Sequence, residues 1–134
     1  MTSVPRICIL GGGFGGLYTA LRLNQLAWEP GQKPEITLID RHPNFVFTPL
    51  LYELITGEMQ GWEIAPPFAE LLKGTDMRFV QGSVKQIDKQ QKTVKLEDDT
   101  EIAYDRLVLS LGCETPADSI PGVAEHAIAF RSIE

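Results

Sequence analysis

The stretch RICILGGGFGGLYTALRL near the start of the chain constrains the fold more than any other, because five of the six residues from Gly11 to Gly16 are glycine. An apolar, β-branched run from Val4 to Leu10 leads into them and reads as a buried strand. From Phe14 to about Ala27 the spacing turns helical, with Leu17, Ala20, Leu21 and Asn24 on one side and Leu23 and Leu26 widening the apolar stripe. Pro30, Gly31 and Pro34 then break the helix, and EITLID, Glu35 to Asp40, forms a second buried strand that ends in an acid. Strand, glycine turn, helix and strand make a βαβ unit, whose crossover is expected to be right-handed.

The spacing of Gly11, Gly13 and Gly16 is that of G-x-G-x-x-G. A dinucleotide needs three things there: a sharp turn, close approach of the backbone to a pyrophosphate, and tight packing of the helix on the sheet. The helix start adds free N–H groups and a positive dipole end, so the N–H groups around Phe14 and Gly15 are expected to point at phosphate oxygens. The motif alone is weak, because glycine turns are common. Its context strengthens it: Asp40 closes the second strand 24 residues beyond Gly16, where an acid can accept hydrogen bonds from a ribose hydroxyl. The plainer alternative, a structural turn with a solvent-facing aspartate, explains less. The fingerprint leaves FAD and NAD both open, while the acid argues against the 2′-phosphate of NADP.

The rest of the chain reads as follows. A loop after Asp40 leads to a short helix from Pro49 to Thr56, stopped by Gly57. A second helix is expected from near Pro66 to Gly74, and a third parallel strand from Met77 to Gln81. Alternation at Val84, Ile87, Val94, Leu96 and Ile102, punctuated by DKQQK and EDDT, predicts a three-stranded antiparallel meander. RLVLSLG, Arg106 to Gly112, resumes a buried strand, and CETPADSIPGV reads as an irregular loop. The predicted fold class is therefore α/β: a parallel sheet with flanking helices, the meander serving as a crossover. With 134 residues there is room for one domain, spanning 1–134.

Composition narrows the function classes. A formal net charge of −6 with scattered cations disfavours nucleic acid and gives no polybasic membrane patch. No run approaches the roughly 20 apolar residues that span a bilayer, and the N-terminus lacks the parts of a signal peptide, which suggests a cytoplasmic protein. Cys8 and Cys113 form no CxxC pair; Cys8 reads as a small buried hydrophobe, and reduced thiols are expected. His42 and His126 have no partners at ligand spacing, so no metal site is expected.

Three stretches, ILGGGFGGLYTA, ITLIDRHPNFVFTPLLYELITGE and YDRLVLSLGCETP…IPGV, together cover nearly the whole chain. In them the chain resembles the N-terminal portion of the type II (alternative, non-proton-pumping) NADH:quinone oxidoreductases, two-dinucleotide-binding-domain flavoproteins related to the pyridine nucleotide-disulfide oxidoreductases. The F-x-P-L-L-Y run after the acidic strand end is the most specific of the three. Ser110-Leu111-Gly112 stands where the superfamily often has Ala-Thr-Gly, a departure that keeps only the glycine.

The resemblance implies a Rossmann-like FAD/NAD(P)-binding domain, with FAD as cofactor and NADH as substrate of the intact protein. It implies that Gly11, Gly13, Phe14, Gly15 and Gly16 hold the FAD pyrophosphate and Asp40 the adenosine ribose. Arg41 would lie near the adenine end, and the backbone of Val84 would meet the adenine edge. Thr48 and Pro49 would border the isoalloxazine ring, with Ser110 to Gly112 passing close to the cofactor. A hydride would go from NADH to the flavin and two electrons then to a quinone, with no catalytic side chain required from this stretch.

Each carried role has a plainer counterpart. Thr48-Pro49 also reads as a helix entry, Val84 as a core residue, Ser110 to Gly112 as a strand end and Arg41 as a solvated charge. Cys113 admits a redox role, as in sulfide:quinone reductases, or that of a passive thiol.

The family's second glycine fingerprint, a returning FAD segment and a C-terminal membrane-attaching region are not in these residues. The fold is thus expected to be incomplete relative to the family. The chain alone is expected to be weakly active or inactive and to dimerise through an exposed sheet edge; in the intact protein, peripheral contact with the cytoplasmic face of a membrane would come through the missing C-terminal region. Two rivals remain: another flavoprotein reductase (sulfide:quinone or ferredoxin/NAD), and a non-catalytic nucleotide-binding module.

Overall fold

The computed structural model of the chain describes residues 4–113 and 120–128. The apolar run yields strand β1 (Arg6–Leu10), followed by helix α1 (Phe14–Gln25) and strand β2 (Glu35–Asp40). A 3₁₀ turn at Thr48–Leu50 and three short helices follow: α2 (Leu51–Thr56), α3 (Gly61–Ile64) and α4 (Phe68–Leu71). Strands β3 (Arg78–Gln81), β4 (Val84–Asp88), β5 (Thr93–Leu96), β6 (Glu101–Ala103) and β7 (Arg106–Leu109) come next, then a helical turn α5 (Val123–His126). The parallel sheet has the order β3-β2-β1-β7, and the meander β4-β5-β6 is antiparallel, as the sequence predicts.

Register and the two-residue period of a strand sort the core into two layers. Ile9 pairs with Leu38 and Val108, and these side chains share the face covered by α1. There Leu17, Ala20, Phe45, Phe68 and Leu72 complete one cluster. Cys8, Leu10 and Ile39 point the other way and meet Val94, Leu96, Ile102 and Tyr104 of the meander and its exit. Both faces of the central strands β1 and β2 are covered, which is why these two read as almost unbroken apolar runs. At the far end from the glycine turn, Asp105 receives the Arg6 backbone N–H at 2.8 Å and its guanidinium at 3.1 and 3.2 Å, tying β1 to the start of β7.

Several boundaries move. Helix α1 stops at Gln25 because Leu26 is extended, and the Trp28 indole N–H donates to the Leu23 carbonyl at 2.8 Å, serving a helix-end acceptor. Leu26, expected on the buried stripe, is exposed, and Asn24 carries a buried Oδ1 without a hydrogen-bond partner among the described residues. The helix expected from Pro66 to Gly74 shrinks to α4, since Pro67 is extended and the 43–47 segment pairs with 64–68 through Phe45 N–H to Pro66 O and Phe47 N–H to Ile64 O. Helix α3 was not foreseen; a reciprocal capping box between Gln60 and Glu63 starts it. Gly57 ends α2 in the left-handed conformation, as expected. Strand β7 ends at Leu109 rather than Gly112, and residues 114–119 of the predicted loop lie outside the described residues.

Candidate functional site

The glycine turn is built by close contacts that a side chain would prevent. Gly11 leaves β1 at φ +94, and a Cβ there would collide with the Ser110 carbonyl. A Cβ on Gly16 would strike the Gly11 carbonyl, so α1 can pack this closely on β1 only with glycine at that position. Gly12, an unspecified position of the motif, faces the Phe68 ring, which itself stacks on Phe79 at 4.7 Å. Gly13 differs. A Cβ there would meet nothing within 4 Å among the described residues, and Gly13 N-caps α1 with no side chain to occupy the N–H groups of the first turn. The backbone at Gly13 is thus open to an approaching anion at a helix N-terminus.

A groove of about 880 Å³ runs over this turn, within the range of about 300–1,000 Å³ typical of cofactor and ligand sites. Of the residues named from sequence, Gly11, Gly13, Asp40, Arg41 and Thr48 line it, as do Val84, Ser110 and Gly112. Phe14, Gly15, Gly16 and Pro49 do not. The Phe14 ring turns away to pack edge-on against Phe45 and Phe47 at 5.2 and 5.3 Å, and Gly16 is buried under the helix.

Asp40 is already engaged with the backbone. Its Oδ2 accepts the Gly12 N–H at 2.7 Å and its Oδ1 the His42 N–H at 2.8 Å. A carboxylate has about four acceptor positions, so each oxygen keeps capacity for a further donor. Arg41 is not a bare solvated charge: its Nε donates to His42 Nε2 at 3.0 Å, and its carbonyl accepts from Gln81 at 3.2 Å. Ser110 sends its backbone N–H to Leu10 O at 2.8 Å, and its hydroxyl reaches Leu10 O at 2.8 Å and Gly11 O at 3.0 Å.

Sequence reading missed four contributors. Gly12 donates to Asp40, Asn44 fixes the loop after β2 through Ala65 O at 2.6 Å, and Gly82 and Glu97 line the groove. Gly82 left a readable signal, a glycine directly after a parallel strand. It donates to Asp40 O at 2.9 Å, and a Cβ there would sit 2.7 Å from the Leu96 side chain. Glu97 left none; tertiary folding of the meander carries it in, with its N–H on Ser83 O at 3.0 Å.

Cys113 lies exposed at the groove, whereas Cys8 is buried beneath the meander and burial pushes its thiol up to about 11. Among the described residues no group of three or more His, Cys, Asp or Glu is placed to hold a metal, and no helix is long and apolar enough to cross a membrane.

Comparison with known proteins fits this geometry. A model of the pyridine nucleotide-disulphide oxidoreductase family matches residues 5–134. The chain is 52% identical over 134 residues to demethylphylloquinone reductase NdbB of Synechocystis sp., covering 97% of this chain and 33% of that protein. It is 47% identical over 143 residues to alternative NAD(P)H-ubiquinone oxidoreductase C1 of Arabidopsis thaliana, covering 97% and 28%. The sulfide:quinone oxidoreductase structure from Aquifex aeolicus superposes with a TM-score of 0.85 at 30% identity, over 96% of this chain and 29% of that one. The chain thus spans about a third of the length of the relatives it matches.

Proposed function

The chain belongs to the pyridine nucleotide-disulphide oxidoreductase family, and from that premise we propose that it forms the FAD-binding part of an NADH:quinone oxidoreductase. One observation carries the reading: a groove over a glycine turn whose middle residue, Gly13, leaves its backbone open, with Asp40 alongside. That cradle fits a pyrophosphate. The 52% and 47% identities to proteins named as quinone reductases support the choice of reaction.

In this reading the backbone of Gly13, with the N–H groups of Phe14 and Gly15 at the start of α1, would hold the pyrophosphate, and Gly11, whose own N–H goes to Ile39 O at 2.8 Å, would shape the turn beneath it. Gly16 serves by letting the helix come close. The remaining acceptor positions of Asp40 would take the adenosine ribose hydroxyls, with Arg41 near the adenine and the Val84 backbone at its edge. Thr48 and Pro49 would border the ring system, and Ser110 to Gly112 would pass beside it. The flavin, when bound, would supply acceptance of a hydride from NADH and delivery of two electrons to a quinone. This chain's residues bind and orient; none is asked to move a proton. Because the relatives are about three times as long, NADH:quinone turnover by the 134-residue chain itself is expected to be near background, and association through a sheet edge is part of the proposal.

A second reading, a sulfide:quinone reductase, is favoured by the Aquifex superposition and by Cys113 at the groove. The higher identity to the other two proteins places it behind.

The test is an absorption spectrum of the purified chain before and after incubation with FAD and desalting. A retained flavin band supports the reading. A protein that stays colourless and takes up no FAD sinks the flavin seat for this chain.

A further inference from the structure

The Gly11–Gly12 peptide unit is held at both ends by side chains from the two strands that flank β1. On one side the Ser110 hydroxyl, just past the end of β7, bridges two carbonyl oxygens of the turn, Leu10 O at 2.8 Å and Gly11 O at 3.0 Å, sharing its one proton between them. On the other, Asp40, at the end of β2, accepts the Gly12 N–H at 2.7 Å. A planar trans peptide points its C=O and N–H in opposite directions, so both contacts fix one and the same orientation. They extend the β2-β1-β7 ladder one rung past Leu10, with side chains standing in for backbone partners.

The rung needs fixing because it joins two glycines. Without Cβ atoms, rotation of this unit about its flanking bonds meets little steric resistance. A flipped unit would present the Gly11 carbonyl oxygen to the groove, beside the Asp40 carboxylate, and withdraw the Gly12 N–H. An oxygen facing outward there would repel an anion, and Asp40 Oδ2 would lose the Gly12 N–H that it accepts.

We propose that Ser110 is a positioning residue that sets the phosphate cradle by locking the Gly11–Gly12 peptide, acting through the Gly11 carbonyl rather than by touching the ligand. The proposal rests on the groove being the nucleotide seat, and it changes what Ser110 does there: its hydroxyl faces the turn's interior. Three glycines record how close it lies. A Cβ on Gly11 would run into the Ser110 carbonyl, one on Gly16 would come within 2.7 Å of the Ser110 Oγ, and one on Gly15 would lie 3.6 Å from the Ser110 Cβ.

The experiment compares the whole chain with Ser110→Ala and Ser110→Thr. It uses amide hydrogen exchange at Gly12 in the ligand-free protein and FAD titration as the second readout. In Ser110→Ala, Gly12 exchange should accelerate by about 3- to 10-fold and FAD affinity should weaken by a similar factor, the worth of one hydrogen bond. The amides of Ile9 and Leu38 in the strand centres should stay at wild-type rates. Ser110→Thr, which keeps the hydroxyl, should restore Gly12 protection. Gly12 exchange within twofold of wild type in Ser110→Ala, or acceleration shared equally by Ile9 and Leu38, overturns the proposal. If Ser110→Ala does not fold, Ser110→Cys, a weaker donor of similar size, is judged by the same criteria. Should the wild-type chain take up no FAD, the cofactor reading falls, while exchange at Gly12 still decides the lock.

Discussion

At the scale of single residues, the glycines of one motif do different work, and substitution separates them. Gly16→Val would drive its side chain into the Gly11 carbonyl, an overpacking against backbone that costs about 3 kcal/mol or more. In Gly13→Val the added Cβ would meet nothing within 4 Å among the described residues and the backbone is extended, so stability should fall by about 1 kcal/mol, the scale of an altered N-cap. Flavin retention should nonetheless be lost in Gly13→Val. Chemical denaturation and the desalting spectrum, run side by side, check both halves of that contrast. The cysteines give a second single-residue prediction. Cys113 is exposed, and Cys8 is buried with its thiol raised to about 11. A chromogenic disulfide reagent at pH 8 should therefore label one thiol per native chain quickly and the second only after denaturant is added. Rapid labelling of both would show that the meander does not seal Cys8.

At the scale of elements, the joint between β1 and β7 is electrostatic as well as hydrogen-bonded. The Arg6 side chain, then its backbone N–H, holds Asp105 below the ordinary carboxylate value of 3.8, at about 2. A carboxylate whose pKa is lower in the folded state stabilises fully above its unfolded value and loses that contribution as pH falls through the folded one. Stability should thus decline between about pH 4 and pH 2 in the wild-type chain. Asp105→Asn should be less stable at pH 6 and show a shallower decline over that window. Urea midpoints measured across it decide the matter: parallel curves for the two proteins would refute the assignment. Arg6→Ala should fall between the two profiles, because it removes the guanidinium but keeps the backbone N–H that also depresses the pKa.

At the scale of the whole molecule, β7 is an edge of the sheet among the described residues, with Leu109 65% and Leu111 63% exposed beside it. An apolar, unpaired edge is a template for another strand. Sedimentation is expected to show concentration-dependent dimerisation, and Leu109→Lys should shift it toward monomer by placing a charge on that edge. A monodisperse monomer at high concentration, or full NADH:quinone turnover by the 134-residue chain, would overturn this part of the proposal.

The sequence by itself determined the βαβ unit, the alternating meander and the tight glycine turn. Those features rest on local periods, on the glycine spacing and on an acid at a strand end, all of which neighbouring residues express directly. It also located Asp40, though not its two backbone partners. Tertiary structure decided the rest. The run of 66–74 carries good helix signals, yet Pro66 and Pro67 are recruited as extended partners for 43–47, and only Phe68–Leu71 stays helical. Gly12, Glu97 and the inward-facing hydroxyl of Ser110 left no local trace. Each acquires its role from a residue at least 14 positions away, Gly12 against Asp40, Glu97 against Ser83 and Ser110 against Gly11. A strand end and a turn become a site only when the sheet brings β2 and β7 up on either side of β1, because the partners that fix the peptide belong to those strands.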